Sequence, residues 1–216
     1  MSVWPFIAVT LPLVLTPGVS TAVVLRTGVT RGTPAALVTA AGLNASSFTY
    51  GLMASLGLPA VAQRWPFALV ALRYAGGAYL LWLGTTSIVR GMSRFRGASP
   101  APGTQPPTPD APHHTPPAGT PKTQLFVEGF IANTLNPPIA ALYFLILPQF
   151  IPPGAAVVRS TLLLTVIHVS MAATWHVAWA VAGGALSARL SAGRQRASLE
   201  IATGVALSTL AVAILV

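Results

Sequence analysis

Hydrophobic residues dominate the chain in long runs, and polar residues gather in short segments between those runs. A helix that crosses a bilayer needs ~20 largely apolar residues. Six stretches meet this requirement and predict six membrane-spanning helices: Val3–Leu25, Ala35–Ala62, Pro66–Val89, Leu125–Phe150, Thr161–Ser187 and Ala197–Val216. The pattern therefore predicts an all-α membrane protein, in which the second, fourth and fifth spans are long enough to tilt or bend.

A proline-rich segment, residues 97–121, separates the third predicted span from the fourth. Nine of its 25 residues are proline, and it has almost no apolar bulk. Such a composition predicts a disordered, extended linker. Residues 1–96 and 122–216 then form two halves of three helices each.

Two short similarities relate these halves. Thr16-Pro-Gly-Val19 in the first span matches Asn136-Pro-Pro-Ile139 in the fourth, and residues 75–80 in the third match residues 202–207 in the sixth. Because each half has three spans, the second copy enters the membrane from the opposite side. We therefore expect two inverted three-helix repeats with interrupted first and fourth helices, a pattern typical of secondary transporters.

Composition supports the membrane class. Charged residues make up 7% of the chain, against roughly 25% in soluble domains. The net charge of +9 comes from basic residues that separate apolar runs, so nucleic-acid binding is not predicted. The absence of cysteine excludes disulfides, thiol catalysis and cysteine-bound metal.

The basic residues also predict an orientation, because cytoplasmic loops collect Lys and Arg. The first, third and fifth loops hold nine of them: Arg26, Arg31, Arg90, Arg94, Arg96, Lys122, Arg189, Arg194 and Arg196. The second and fourth loops hold Arg64 and Arg159. We expect the proline-rich loop in the cytoplasm and both termini outside, as in a multi-pass protein of the bacterial inner membrane.

The candidate substrate site lies at the two predicted breaks, both near the bilayer centre. A proline inside a helix removes a hydrogen bond and costs about 3 kcal/mol. The backbone groups freed there must face protein or water. An ordinary packed proline kink explains one break, whereas paired breaks favour a substrate site with these residues: Thr16, Pro17, Gly18, Asn133, Asn136, Pro137 and Pro138.

Four other polar residues within the predicted spans are candidates. Asn44 is either a substrate ligand or a contact between helices. Arg73 either reaches the outer interface or turns inward to a substrate carboxylate. His168 and His176 are either buried packing residues or carriers of the coupling proton. Small residues such as Gly42, Gly76 and Gly77 pack within the chain or between copies in a homo-oligomer.

Catalytic patterns are missing from the sequence. Three acidic residues in total provide neither a metal cluster nor a paired-carboxylate site, and no phosphate-binding glycine loop is present. The sequence therefore predicts a protein that is not an enzyme and binds neither metal nor cofactor.

Several motifs resemble the LysE/RhtB family of amino-acid exporters. Thr16-Pro-Gly18 is similar to the family's TPGP motif, and residues 72–84 (LRYAGGAYLLWLG) to its third-span LK-x-x-GAAYL-x-x-LG pattern. Residues 126–138 (FVEGFIANTLNPP) resemble F-x-x-GF-x-N-x-x-NPK, and Pro148-Gln-Phe150 resembles the closing PQF. Val19 replaces the second proline of the first motif, and Pro138 replaces the lysine of NPK.

The resemblance implies a secondary active exporter that moves an amino acid or similar metabolite out of the cytoplasm. Its expected partners are the small substrate, membrane lipid and a proton or ion gradient. Two alternatives remain open: an integral membrane protein that is enzymatic or does not transport, and a metal-cation exporter of the same superfamily.

Overall fold

The computed structural model describes residues 2–57, 67–97, 120–189 and 193–215, and these ranges contain helices and no strand. Eight α-helices follow one another: α1 Trp4–Leu15, α2 Val19–Arg31, α3 Thr33–Ser55, α4 Phe67–Gly97, α5 Lys122–Thr134, α6 Pro137–Ala141, α7 Val157–Arg189 and α8 Gly193–Leu215. After α6 the chain continues through a π-helical segment, Leu142–Ile146, and a 3-10 helix, Leu147–Phe150. The all-α prediction is thus confirmed for the described residues.

The first and fourth predicted spans are both interrupted. The axes of α1 and α2 differ by 45°, and those of α5 and the segment from Pro137 to Phe150 differ by 61°. The breaks lie at residues 16–18 and 135–136, next to the prolines from which they were predicted. The first break contains Pro17 and Gly18, and the second is followed directly by Pro137 and Pro138. A proline nitrogen has no hydrogen to donate to the preceding turn, so each break follows from its prolines.

By length and apolar composition, α7 is the one described helix that qualifies on its own to cross a membrane. The number rises to three when each bent pair is counted as one span, and Glu200–Leu215 forms a shorter apolar helix. The six-span inverted repeat therefore stays a prediction.

Helix boundaries differ from those of the apolar runs. α4 continues to Gly97, past the predicted end at Val89, and α7 begins at Val157. Hydropathy marks only the apolar part of a helix. The helical conformation of α4 continues beyond that part, through the residues that include its arginines. α3 ends at Ser55, and the rest of the second predicted span from residue 58 lies outside the described residues, as do residues 98–119 of the predicted linker.

The main helix pairs join the first half of the chain to the second. α4 packs along α8, α3 packs against both α5 and α7, and α2 packs against α7. Two close approaches depend on glycine: a Cβ on Gly42 of α3 would overlap the carbonyl oxygen of Phe126 on α5, and one on Gly76 of α4 would overlap that of Leu135 at the second break. These glycines pack within the chain.

Candidate functional site

The first break leaves the beginning of α2 without a side-chain cap. Gly18, the residue before the helix, is extended (φ −135°, ψ −157°) and has no side chain to donate or accept. The hydroxyl of Thr16 donates to the carbonyl of Pro12 at 2.7 Å, so it completes α1 instead. The first amide groups of α2 have no acceptor within the helix, and they carry the positive end of its dipole.

At the second break, other groups replace the hydrogen bonds that two prolines cannot make. Pro137 and Pro138 lack the N–H groups that would bond to the carbonyls of Asn133 and Thr134. The backbone N–H of Asn136 donates to the Asn133 carbonyl at 3.1 Å. The hydroxyl of Tyr50 on α3 donates to the Thr134 carbonyl at 2.5 Å. The interruption is therefore held by a tertiary contact.

Asn133 joins three helices and has all its amide groups paired. Its Oδ1 accepts from the hydroxyl of Ser20 on α2 at 3.1 Å. Its Nδ2 donates to Ser47 at 3.0 Å and to Ser46 at 3.3 Å, both on α3. The side chain is 1% exposed. Asn133 therefore acts as a bridge between the two interrupted helices and α3.

Asn136 has a different environment, although it lies three residues further on. Its Nδ2 is 3.5 Å from the Oγ of Ser20, a long hydrogen bond. Its Oδ1 is buried and has no hydrogen-bond partner among the described residues. An amide oxygen left unpaired in a buried site is costly, so this atom is a candidate ligand for a substrate donor.

A cavity of about 400 Å³ lies between the two breaks. This volume is within the usual range of small-molecule sites. Seven of the predicted site residues line it: Thr16, Gly18, Asn133, Asn136, Pro138, His168 and His176. Most of the remaining wall is aliphatic, including Leu13, Val14, Leu142, Ile146 and Ile214, and no Asp, Glu, Lys or Arg is among the described residues that form it.

Four predicted residues do not line this cavity. Pro17 and Pro137 shape the backbone of the breaks behind it. Asn44 donates to the carbonyl of Ala40 at 2.8 Å and contacts a histidine of α7. Arg73 donates through Nε to the carbonyl of Ile214 near the end of α8. The structure thus gives Asn44 and Arg73 contacts within the protein.

Both histidines of α7 line the cavity and each has a polar partner. Nδ1 of His168 is 2.9 Å from the hydroxyl of Tyr143, which lies in the π-helical segment. Nδ1 of His176 is 3.2 Å from Oδ1 of Asn44. Both imidazoles are buried, at 2% and 5% exposure. They connect the cavity wall to Tyr143 and Asn44, which lie outside the lining.

An ion cluster that was not a predicted site joins α2 to α5 about two helical turns away from the breaks. Nη1 of Arg26 on α2 lies 2.5 Å from Oε1 of Glu128 on α5, and Nη1 of Arg31 lies 3.3 Å from Oε2. Nε of Arg26 also donates to the hydroxyl of Ser87 on α4 at 2.5 Å. The spacing along the sequence could have indicated the contact between Arg26 and Glu128. Arg26 lies eight positions after Gly18, and Glu128 lies eight positions before Asn136, which is about two helical turns in each case.

Within the ranges that the structure describes, no group of three or more His, Asp or Glu side chains is arranged to hold a metal ion.

Comparison with known proteins identifies relatives that share most of the chain. A leucine efflux protein of Enterobacter sp. (strain 638) is 22% identical over 88% of this chain and 82% of its own length. A leucine efflux protein of Klebsiella pneumoniae is 26% identical over 72% and 68%. The Bacillus subtilis membrane protein YrhP is 25% identical over 81% and 79%. No solved structure matches.

The family model described as LysE type translocator matches residues 11–216. This match includes both helix breaks, the cavity between them and the ion cluster. The resemblance seen in the motifs is therefore confirmed, and the chain belongs to the LysE type translocator family.

Proposed function

We propose that the protein is a secondary active exporter of a neutral amino acid with an apolar side chain, driven by the proton gradient. The observation that carries this proposal is the cavity between the two breaks. It combines an uncapped helix beginning and an unpaired amide oxygen with a wall that is otherwise mostly aliphatic. These features complement a zwitterion that carries an uncharged side chain.

Alternating access requires one side of the cavity to close while the other opens. The ion cluster of Arg26, Arg31 and Glu128 joins α2 to α5 on the side that the distribution of basic residues makes cytoplasmic. On the opposite side, α1 contacts α7 less extensively than α2 does. Phe6 is buried there and meets Phe150 edge-on at 5.4 Å between ring centroids. The ion cluster supports a closed cytoplasmic side.

The helix pairings support the inverted repeat that such a mechanism uses. The α2–α7 pair joins the first and fifth predicted spans, and the α3–α5 pair joins the second and fourth. Exchanging the two halves converts one pair into the other, and it returns the α4–α8 pair to itself. Inverted repeats of this kind allow one helix group to move against the other around a fixed central site.

The proton gradient supplies the driving force in this proposal, with His168 or His176 as the carrier. Moving one charge across 100 mV is worth about 2.3 kcal/mol. One proton exchanged for one zwitterion therefore supports a concentration ratio of roughly 50. Both imidazoles line the cavity, so a substrate and a proton can influence each other there.

The names of two relatives support the substrate class, since both are called leucine efflux proteins. The cavity of the present chain is consistent with such a ligand, because a charged side chain would find no opposite charge in the described wall.

The proposal is tested by metabolite profiling in a bacterium that lacks its own leucine exporters. Cells are loaded with dipeptides, and amino acids are measured inside and outside over time. Cells that express the wild-type chain are expected to hold less of one neutral amino acid and to release more of it than cells with an empty vector. Equal pools for every amino acid would contradict the proposal.

A matched pair of variants separates transport from expression. Asn136→Ala removes the unpaired amide oxygen from the cavity and is expected to reduce release. Gln149→Ala removes an exposed amide from the 3-10 helix, outside the cavity lining, and is expected to leave release unchanged.

A further inference from the structure

We propose that the cavity binds its substrate in one orientation, with the carboxylate at the beginning of α2 and the ammonium group at Oδ1 of Asn136. This inference rests on the proposed function and adds to it the polar ligands of the substrate. It excludes ligands that lack either charged group, and it favours an uncharged aliphatic side chain.

The beginning of α2 provides the carboxylate site. α2 has 13 residues, and its preceding residue, Gly18, offers no side chain. The backbone N–H groups of Val19, Ser20 and Thr21 have no acceptor within the helix, and these residues line the cavity. Free amides and the positive end of the dipole together favour an anion.

The proposed site for the ammonium group does not depend on the helix dipole. Asn136 is 6% exposed, lines the cavity, and has an Oδ1 atom without a partner among the described residues. An ammonium group is a pure donor, so it can satisfy this oxygen. Asn133 cannot serve in this way, because its amide already contacts Ser20, Ser46 and Ser47.

The hydrogen-bond network fixes which way the Asn136 amide faces. The hydroxyl of Ser20 has one hydrogen and donates it to Oδ1 of Asn133 at 3.1 Å. Toward Asn136 it therefore presents a lone pair, which accepts from Nδ2. The carbonyl end of the Asn136 amide is thus the end left without a partner.

The two sites are close enough for one α-amino acid. Ser20 belongs to the first turn of α2, and its Oγ lies 3.5 Å from Nδ2 of Asn136. A carboxylate and an ammonium group attached to the same carbon need neighbouring sites of this kind. The side chain of the substrate then lies against the aliphatic wall, which includes Leu142 and Ile146.

The test uses three probes of equal hydrocarbon skeleton: L-leucine, 4-methylpentanoate without the amino group, and isoamylamine without the carboxylate. Each competes with radiolabelled leucine for the purified full chain. Hydrogen bonds to charged groups are worth enough for about a ten-fold change in affinity or more. Both analogues are therefore expected to bind at least ten-fold more weakly than leucine.

Two substitutions test which charged group of the substrate binds at each site. Val19→Pro removes one amide at the first helical position, where proline is tolerated, and Gly18 is already extended. It should weaken leucine and 4-methylpentanoate but leave isoamylamine unchanged. Asn136→Ala should weaken leucine and isoamylamine but leave 4-methylpentanoate unchanged. Val19→Ala is the control, because it also shortens the buried side chain but keeps the amide.

The pattern of affinities decides the outcome. If Asn136→Ala weakens the binding of both analogues equally, the proposed orientation is overturned. When Val19→Pro does not fold, this comparison is sufficient to decide the outcome. Isoamylamine that binds as tightly as leucine also overturns it, while amino-acid export in cells leaves the proposed function standing. If export selects another amino acid, its own deamino and decarboxy analogues replace the three probes.

Discussion

Arg26 and Glu128 form an ion pair of 2.5 Å that joins the two interrupted helices about two helical turns from their breaks. Both side chains are largely buried, at 5% and 11% exposure. Removing one partner of such a pair leaves the other charged and unpaired, at a cost of about 3–5 kcal/mol. In the proposed mechanism, this contact parts before a substrate enters from the cytoplasm between α2 and α5.

Glu128→Gln is therefore expected to open the cytoplasmic side of the cavity and lower export. The chain has no cysteine, so a Ser47→Cys substitution in the cavity wall gives a single labelling site. A thiol reagent added to inside-out vesicles should label this cysteine faster with Glu128→Gln than without it. Glu200→Gln is the control, since Glu200 pairs with Arg94 between α4 and α8. Equal labelling rates for both variants would argue against a gate.

Tyr50→Phe should destabilise the second break. The substitution removes the hydroxyl that donates to the Thr134 carbonyl but keeps the ring packed on Tyr143 and Phe144. Leaving that carbonyl unpaired costs about 1–3 kcal/mol, which a thermal unfolding curve in detergent detects. Tyr74→Phe, at a residue that is 57% exposed, serves as the control. Equal melting temperatures for the two variants would show that the cap is dispensable.

Replacing both His168 and His176 with Gln is expected to separate substrate movement from proton movement. Glutamine keeps a hydrogen-bonding group beside Tyr143 and Asn44 but cannot carry a proton. In proteoliposomes, exchange of labelled for unlabelled substrate should continue, whereas substrate-dependent proton flux should be lost. Thr174→Ala, on the exposed face of α7, should retain both activities. Export that survives in the double variant and stays sensitive to an uncoupler would exclude the histidines as carriers.

Gly42→Ala is expected to disrupt the packing of α3 on α5. The added Cβ would overlap the Phe126 carbonyl oxygen, and backbone cannot move aside as a flexible side chain can. Overpacking of this kind costs about 1–3 kcal/mol, so the yield of folded protein and its melting temperature should both fall. Ala41→Leu adds more volume at the neighbouring exposed position and should have little effect. A normal melting temperature for Gly42→Ala would show that the two helices can separate locally.

The predicted orientation has a direct test in the same cysteine-free chain. Ser2→Cys and Ser93→Cys place single thiols at exposed positions near the beginning of the chain and near the end of α4. A reagent that does not cross membranes should label the first in intact cells and the second after the cells are opened. The reverse pattern would invert the orientation, and labelling of both in intact cells would contradict the span count between them.

The sequence identified the breaks, because proline and glycine act on their own backbone and do not depend on distant neighbours. It did not distinguish Asn133 from Asn136, since the difference depends on Ser20, Ser46 and Ser47 from two other helices. Their spacing alone places both amides on one side of the predicted helix. The bend at residues 135–136 then leaves one amide enclosed and the other with a free oxygen.

The ion cluster was missed because Lys and Arg residues were counted as loop residues to predict the orientation. Counting Arg26 and Arg31 as loop residues treats them as charges in water, whereas the structure extends α2 to Arg31 and buries Arg26. Arg73 is a second example: its position within a span left open a substrate ligand or a residue that reaches the outer interface, and the structure adds a hydrogen bond from its Nε to the Ile214 carbonyl. Pairing across helices decides the role of such charges, and a single sequence does not contain those pairs.

The two adjacent prolines at 137 and 138 make the second break permanent. A hydrogen bond lost by thermal fluctuation re-forms when the donor returns, but a proline nitrogen has no hydrogen to return. A change in the angle between the segments on either side would therefore break no helical hydrogen bond donated by these two residues. The contacts around the break, such as that of the Tyr50 hydroxyl with the Thr134 carbonyl, set this angle instead.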